Sequence, residues 1–257
     1  MEISMLKKLY DKSKIWFAVV WIVAYCVLLS AGDALSAMIG VEKLVTLCIA
    51  FALSAVLIAF LWRGGLFPAY GLCRPTASAR SMLYYLPVLL MLSVNLWYGV
   101  SLNCSALEAV LYILSMLLVG LLEEVIFRGL LFEAMRGESI KAAVIVSSVT
   151  FGIGHIINLV NGSGAELLPN ILQVIYATAA GFMFVMIYMK SKSLLVPIAA
   201  HGIFNSLSVF ANEAAATDKM RIITAAALTL ITGSYAAYLA WSMRGKCECG
   251  EQNSTEQ

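Results

Sequence analysis

"LEAVLYILSMLLVGLLEEVIFRGLLFEAM", residues 107–135, is apolar and long enough to cross a bilayer, yet it carries Glu123, Glu124 and Arg128 in its interior. A helical span needs about 20 mostly apolar residues. A charged side chain at the centre of a span costs about 2.5 to 3.5 kcal/mol, while each Leu, Ile, Val or Phe returns only about 0.3 to 0.6 kcal/mol. Three charges therefore cancel most of the apolar gain of this helix. Glu124 and Arg128 are four residues apart, share a helical face and can neutralise each other. Glu123 sits about 100° round the helix and is left over. An ionisable residue inside a membrane marks a functional site by default, facing a water-filled cavity.

The rest of the chain has the same character. Of its 257 residues 61% are hydrophobic and 12% charged, with a mean hydropathy of +0.89, far from the balance of soluble domains. This composition defines an all-α polytopic membrane protein, one transmembrane domain over residues 1–257. Apolar runs of span length lie near 15–31, 44–62, 81–102, 107–132, 140–158, 167–189, 193–211 and 221–242, so about eight transmembrane helices are expected. The fifth and seventh are the less apolar, because "FGIGHIINLV" and "VPIAAHGIFNSLSVF" contain Gly, Pro, His and Asn. A net charge of +2 excludes an electrostatic nucleic-acid partner.

Charge placement orients the spans. With the N-terminus inside, the inner segments hold Lys7, Lys8, Lys12, Lys14, Arg63, Arg74, Arg80, Arg136, Lys141, Lys190, Lys192, Arg244 and Lys246, thirteen in all. The outer loops hold only Lys43, Lys219 and Arg221. Under the positive-inside rule this alternation puts both termini in the cytoplasm of a multi-pass cell-membrane protein. The first apolar run has no clear cleavage site and reads as an uncleaved helix. The six cysteines imply no disulfide framework, and "CEC" at Cys247 and Cys249 belongs to a solvated tail, with residues 243–257 expected to be disordered. The inner loop "RGGLFPAYGLCRPTASAR" is rich in Gly and Pro and reads as a loop or interfacial element.

Both histidines of the chain fall inside spans, at the end of "FGIGH" (His155) and the start of "HGIFN" (His201). Asn205 shares a face with His201, and Phe151 with His155. At 1.5 Å rise per residue, Glu123 is about 20 Å from Arg136, His155 about 22 Å from Lys141 and Asn205 about 18 Å from Lys192. His201 lies about one turn shallower than Asn205. The four can meet in one intramembrane catalytic cavity if their helices are neighbours.

The ordered set "EEVIFR", "FGIGH" and "HGIFN" resembles the EExxxR, FxxxH and HxxxN motifs of the CAAX prenyl endopeptidase and bacteriocin-processing (Abi) family of intramembrane proteases. The resemblance spans residues 107–211, the family's catalytic core. It implies an eight-helix fold and peptide-bond hydrolysis, with Glu123 and His155 activating water and His201 and Asn205 stabilising the oxyanion. Glu124 and Arg128 become the structural ion pair that turns Glu123 inward. It further implies a peptide or protein substrate, lipidated if a C-terminal CAAX tail is processed, and a cavity that opens toward the cytoplasm.

Family members are described both as metalloproteases and as metal-independent enzymes. No cofactor is required by the metal-free mechanism, the reading preferred here; the alternative is zinc held by Glu123, His155 and His201. Two other classes also place charges in mid-membrane. One is a non-enzymatic membrane partner acting as an immunity or regulatory factor. The other is a transporter, against which the lack of internal repeats counts.

Overall fold

The computed structural model describes the backbone of residues 2–161 and 166–252, with side chains over 6–161 and 166–244. Helix α1 (Glu2–Lys12) lies outside the expected spans and packs Leu6, Leu9 and Tyr10 against the core. Ser13 then leaves helical geometry (φ −162°) and caps α2 (Lys14–Ile39), Trp16 N donating to its Oγ at 3.3 Å. Gly40, at φ +79°, stops α2 in the left-handed conformation. Helix α3 (Leu44–Arg63) returns, and residues 64–79 run beneath the bundle as a loop.

The third expected span departs from the sequence reading. The hydropathy of 81–102 is continuous, but Leu83, Tyr84 and Tyr85 take φ of +50°, +50° and +57°, leaving α4 (Leu86–Ser93) between two short 3₁₀ turns. Pro87 sits in the first turn of α4, where its missing N–H costs nothing. The cause is backbone geometry, to which apolar content is blind.

Helix α5 (Ala106–Glu123) begins at a capping box, in which Glu108 N donates to Ser105 Oγ at 3.3 Å and Ser105 N to Glu108 Oε2 at 3.0 Å. At Glu124 it widens into a π-helical segment, Glu124–Phe132, before α6 (Glu133–Arg136). Such i→i+5 turns are rare and concentrate at functional sites. Helix α7 (Ile140–Gly154) tightens into a 3₁₀ turn over His155–Leu159, and α8 (Leu167–Ser191), α9 (Leu195–Leu207) and α10 (Asp218–Gln252) complete the fold. The tail expected to be disordered from residue 243 is helical as far as Gln252; its side chains beyond 244 and residues 253–257 lie outside the described residues.

Among the described residues, six helices are long and apolar enough to cross a membrane: α2, α3, Ala106–Arg136, Ile140–Leu159, α8 and Asp218–Arg244. Arg80–Leu96 and Leu195–Phe210 are shorter apolar segments at the places of the third and seventh expected spans. The protein is an all-α, multi-pass membrane protein. Trp16, Trp62 and Trp241 are 64%, 68% and 70% exposed beside Lys14, Arg63 and Arg244, so one end of the bundle carries both the basic residues and an aromatic belt.

Lipid offers no hydrophobic drive to helix association, so close packing of small residues takes its place. Helix α5 crosses α9 at Gly120 and Gly202, where a Cβ on Gly120 would lie 2.5 Å from the Gly202 nitrogen. Gly181 of α8 similarly faces Ser148 of α7, with 3.0 Å to its carbonyl oxygen. These crossings hold α5, α7, α8 and α9 together around the charged residues.

Candidate active site

Glu123 is the last α-helical residue of α5 and Glu124 the first of the π segment, so the two carboxylates flank a change of helical pitch. Between them stands the ring of His201. Its Nδ1 is 2.8 Å from Glu124 Oε1 and its Nε2 is 3.2 Å from Glu123 Oε2. Glu124 Oε1 also accepts from Arg128 Nη1 at 2.9 Å, with both side chains fully buried. The pair expected from the i, i+4 spacing is thus joined by a third group.

Aromatic rings complete the enclosure. Phe184 of α8 stacks on His201 at 5.5 Å and 21°, while Phe151 of α7 meets it edge-on at 5.5 Å. Phe151 also lies 4.1 Å beneath the Arg128 guanidinium carbon, a cation–π contact, and 5.3 Å from the His155 ring. Nε and Nη2 of Arg128 make no hydrogen bond. The aromatic face therefore supplies stabilisation that donors to oxygen would otherwise provide.

Two features beside Glu123 were missed by sequence reasoning. Tyr25 of α2 donates to Glu123 Oε1 at 2.8 Å, and Gly120 with Gly202 brings α9 close enough for His201 to arrive. A signal for Tyr25 existed. It lies eleven residues from Lys14, about 16 Å deep at 1.5 Å per residue, in nearly the layer assigned to Glu123.

A cavity of about 380 Å³ reaches Glu123 and is also lined by Tyr25, His155 and Asn205. The structure thus brings Glu123, His155 and Asn205 to one space. His201 is behind it, lining a second cavity of about 50 Å³ with His155, Phe184 and Asn205. The side chains of His155 and Asn205 make no hydrogen bond among the described residues, whereas both nitrogens of His201 face carboxylates. His155 was expected beside Glu123 and His201 among the oxyanion donors. The Gly120–Gly202 crossing delivers His201 to Glu123 as well, while His155 lines the same cavity as Glu123.

Glu123 Oε2 stays without a hydrogen bond, since the His201 contact is close but not aligned. Among the described residues no group of three His, Cys, Asp or Glu side chains is disposed to hold a metal ion. His201 Nδ1 is taken by Glu124 and Glu123 Oε1 by Tyr25. These bonds leave His201 Nε2 and Glu123 Oε2 free, but the zinc set of Glu123, His155 and His201 does not converge as a donor group among the described residues, and no step is routed through a metal.

The cavity opens at the end opposite the basic residues. Asp33, Lys43, Asn161 and Glu213 line its outer part, and these belong to the outer connections of the charge pattern. Toward the basic end the π segment closes it, Phe127, Arg128, Leu131 and Phe132 being at most 4% exposed. The loop 64–79 is bound across that end by Thr76 N donating to Ser191 O at 2.8 Å and Leu194 N to Gly71 O at 2.7 Å. An opening toward the cytoplasm and a cytoplasmic basic end cannot both hold in this fold.

Fold and site together define a polytopic membrane protein with a buried carboxylate–histidine centre. The family model for Type II CAAX prenyl endopeptidase Rce1-like proteins matches residues 105–207. Over that segment, less than half of its length, the chain is similar to this family of membrane endopeptidases. It is 33% identical over 98 residues to a Bacillus subtilis (strain 168) protein described as "Putative membrane peptidase YdiL", an alignment covering 38% of this chain and 35% of that protein. The chain therefore matches about a third of the length of this relative. No solved structure matches the chain significantly.

Proposed function

We propose that the protein is an intramembrane endopeptidase in which Glu123 activates water. The observation that carries this reading is the position of Glu123 at the inner end of a 380 Å³ cavity. There Oε1 is held by Tyr25 and Oε2, though buried, makes no hydrogen bond. The family match supports peptide hydrolysis as the reaction. It does not select a substrate.

The chain's own residues divide the work. Glu124, paired with Arg128, accepts from His201 Nδ1 and fixes the orientation of the ring. His201 Nε2 then faces Glu123 Oε2 across 3.2 Å. In the reaction Glu123 takes a proton from water as the water oxygen bonds to the peptide carbonyl carbon, whose π electrons move to oxygen. His155 and Asn205 have side chains that make no hydrogen bond among the described residues, and they donate to that oxyanion. As the C–N bond breaks, the proton on Glu123 passes to the departing amine.

On the charge pattern both termini lie in the cytoplasm. The substrate is a peptide or a protein segment, and lipidation of it is not required by any feature of the cavity. The test compares peptide termini from cells lacking the protein and complemented with wild type or Glu123→Ala at matched expression. New termini seen only with wild type are expected. Identical termini with equal rescue of phenotype would replace the peptidase by a non-enzymatic membrane partner.

A further inference from the structure

We infer that substrate reaches Glu123 from the exoplasmic side, the face opposite the cytoplasm, so that the polypeptide cut is an exported or exoplasmic segment rather than a cytoplasmic lipidated C-terminus. This rests on the peptidase reading and adds a direction of entry and a substrate class to it. The cavity has its mouth among Asp33, Lys43, Asn161 and Glu213, and Glu213 is 73% exposed there. All four follow or precede turns at the end of the bundle that carries three basic residues, Lys43, Lys219 and Arg221, against thirteen at the other. The positive-inside bias makes the poorly basic end exoplasmic. The aromatic belt of Trp16, Trp62 and Trp241 marks the basic end as a membrane boundary in its own right.

The opposite route is shut. Between Glu123 and the basic end stand the buried side chains of Phe127, Arg128, Leu131 and Phe132. Below them the loop 64–79 is fastened to the turn between α8 and α9, where Ser193 Oγ donates to Cys73 O at 2.5 Å. A peptide entering from the cytoplasm would have to break this packing and leave Arg128 without its enclosure.

The walls of the open cavity suit a peptide better than an isoprenoid. They are lined by the amides of Asn95, Asn158 and Gln173 and the phenols of Tyr112 and Tyr176, most of which bond within the protein, Asn95 Nδ2 to Phe204 O at 2.6 Å, Asn158 Nδ2 to Gln173 Oε1 at 3.2 Å and Tyr112 with Ser208 Oγ at 2.8 Å, and can exchange those bonds for a peptide backbone. An extended backbone carries one donor and one acceptor per residue and needs such partners when it leaves water. A prenyl chain offers them nothing to bond.

Native cysteines allow the direction to be measured. Cys26 lines the cavity next to Tyr25, Cys73 lies in the loop at the basic end and Cys104 in the connection at the other. Orientation is read first on the wild type, where a membrane-impermeant maleimide on intact cells is expected to label Cys104 and to reach Cys73 only after permeabilisation. Entry is read on a variant retaining Cys26 alone, treated with a small charged methanethiosulfonate on intact cells and on inside-out vesicles, with peptide termini followed in parallel. Modification of Cys26 from intact cells, with loss of the Glu123-dependent termini, is the expected result. Modification from inside-out vesicles only, or from neither face, overturns the proposal, as does labelling of Cys73 rather than Cys104 in intact cells. Failure of the peptidase reading looks different: Cys26 then reacts from outside while no terminus depends on Glu123. If the Cys26-only variant does not accumulate, Asn161→Cys in the wild-type background, labelled beside Cys104 from intact cells, decides the same question at the mouth.

Discussion

Gly120 and Gly202 bring the backbones of α5 and α9 into direct contact, and His201 is the residue immediately before that contact. Gly120→Ala places a methyl group 2.5 Å from a backbone nitrogen, which no side-chain rotation relieves. Overpacking of this kind costs about 1 to 3 kcal/mol. The crossing must open, carrying His201 away from Glu123. The expected outcome is a lower melting temperature in detergent together with loss of proteolysis, whereas Gly137→Ala, with nothing within 4 Å of its added Cβ, leaves both unchanged.

Tyr25→Phe removes the donor to Glu123 Oε1 and little else. A hydrogen bond to a charged group is worth about 1.5 to 3 kcal/mol, or roughly ten- to a hundredfold in rate if it is made fully in the transition state. We expect kcat to fall within that range while KM changes little. A variant whose kinetics match wild type would remove Tyr25 from the site.

Arg128→Met leaves Glu124 buried beside a histidine with no cation to balance it. Breaking one half of a buried pair costs about 3 to 5 kcal/mol. The double variant Glu124→Gln, Arg128→Met is expected to recover much of that stability in thermal denaturation. It is not expected to recover activity, because an amide in place of the Glu124 carboxylate holds His201 without a charge. Recovery of both would reduce the pair to a scaffold with no influence on the histidine.

His155→Ala and Asn205→Ala remove side chains that make no hydrogen bond among the described residues, so folding stability should change little. As oxyanion donors each should matter in the transition state. Removal of one such donor costs about 10² to 10³ in kcat. A rate loss without a stability loss, measured on the same preparations, is the expected signature.

Metal content bears on the donor set. Purified protein is expected to keep its activity through exhaustive chelation, since no three ligating side chains converge among the described residues. Stoichiometric zinc, with activity lost on chelation and restored by zinc, would overturn the metal-free mechanism.

Sequence alone determined the class of fold and the order of its parts. Apolar length and the alternation of Lys and Arg are one-dimensional properties, so the segments near 15–31, 44–62 and 167–189 coincide with α2, α3 and α8. The Glu124–Arg128 contact was equally legible, because residues four apart meet on any helical turn, even one widened to a π-helix. Tertiary structure decided everything that depends on which helices are neighbours. It set His201 against Glu123, introduced Tyr25 from α2, broke the third span at Leu83–Tyr85 and turned the cavity toward Asp33 and Glu213. Motif order fixes sequence position and depth but not azimuth. The rotation of each helix is set by contacts such as Gly120 on Gly202, which follow from the packing of the whole bundle and have no signature in either segment alone.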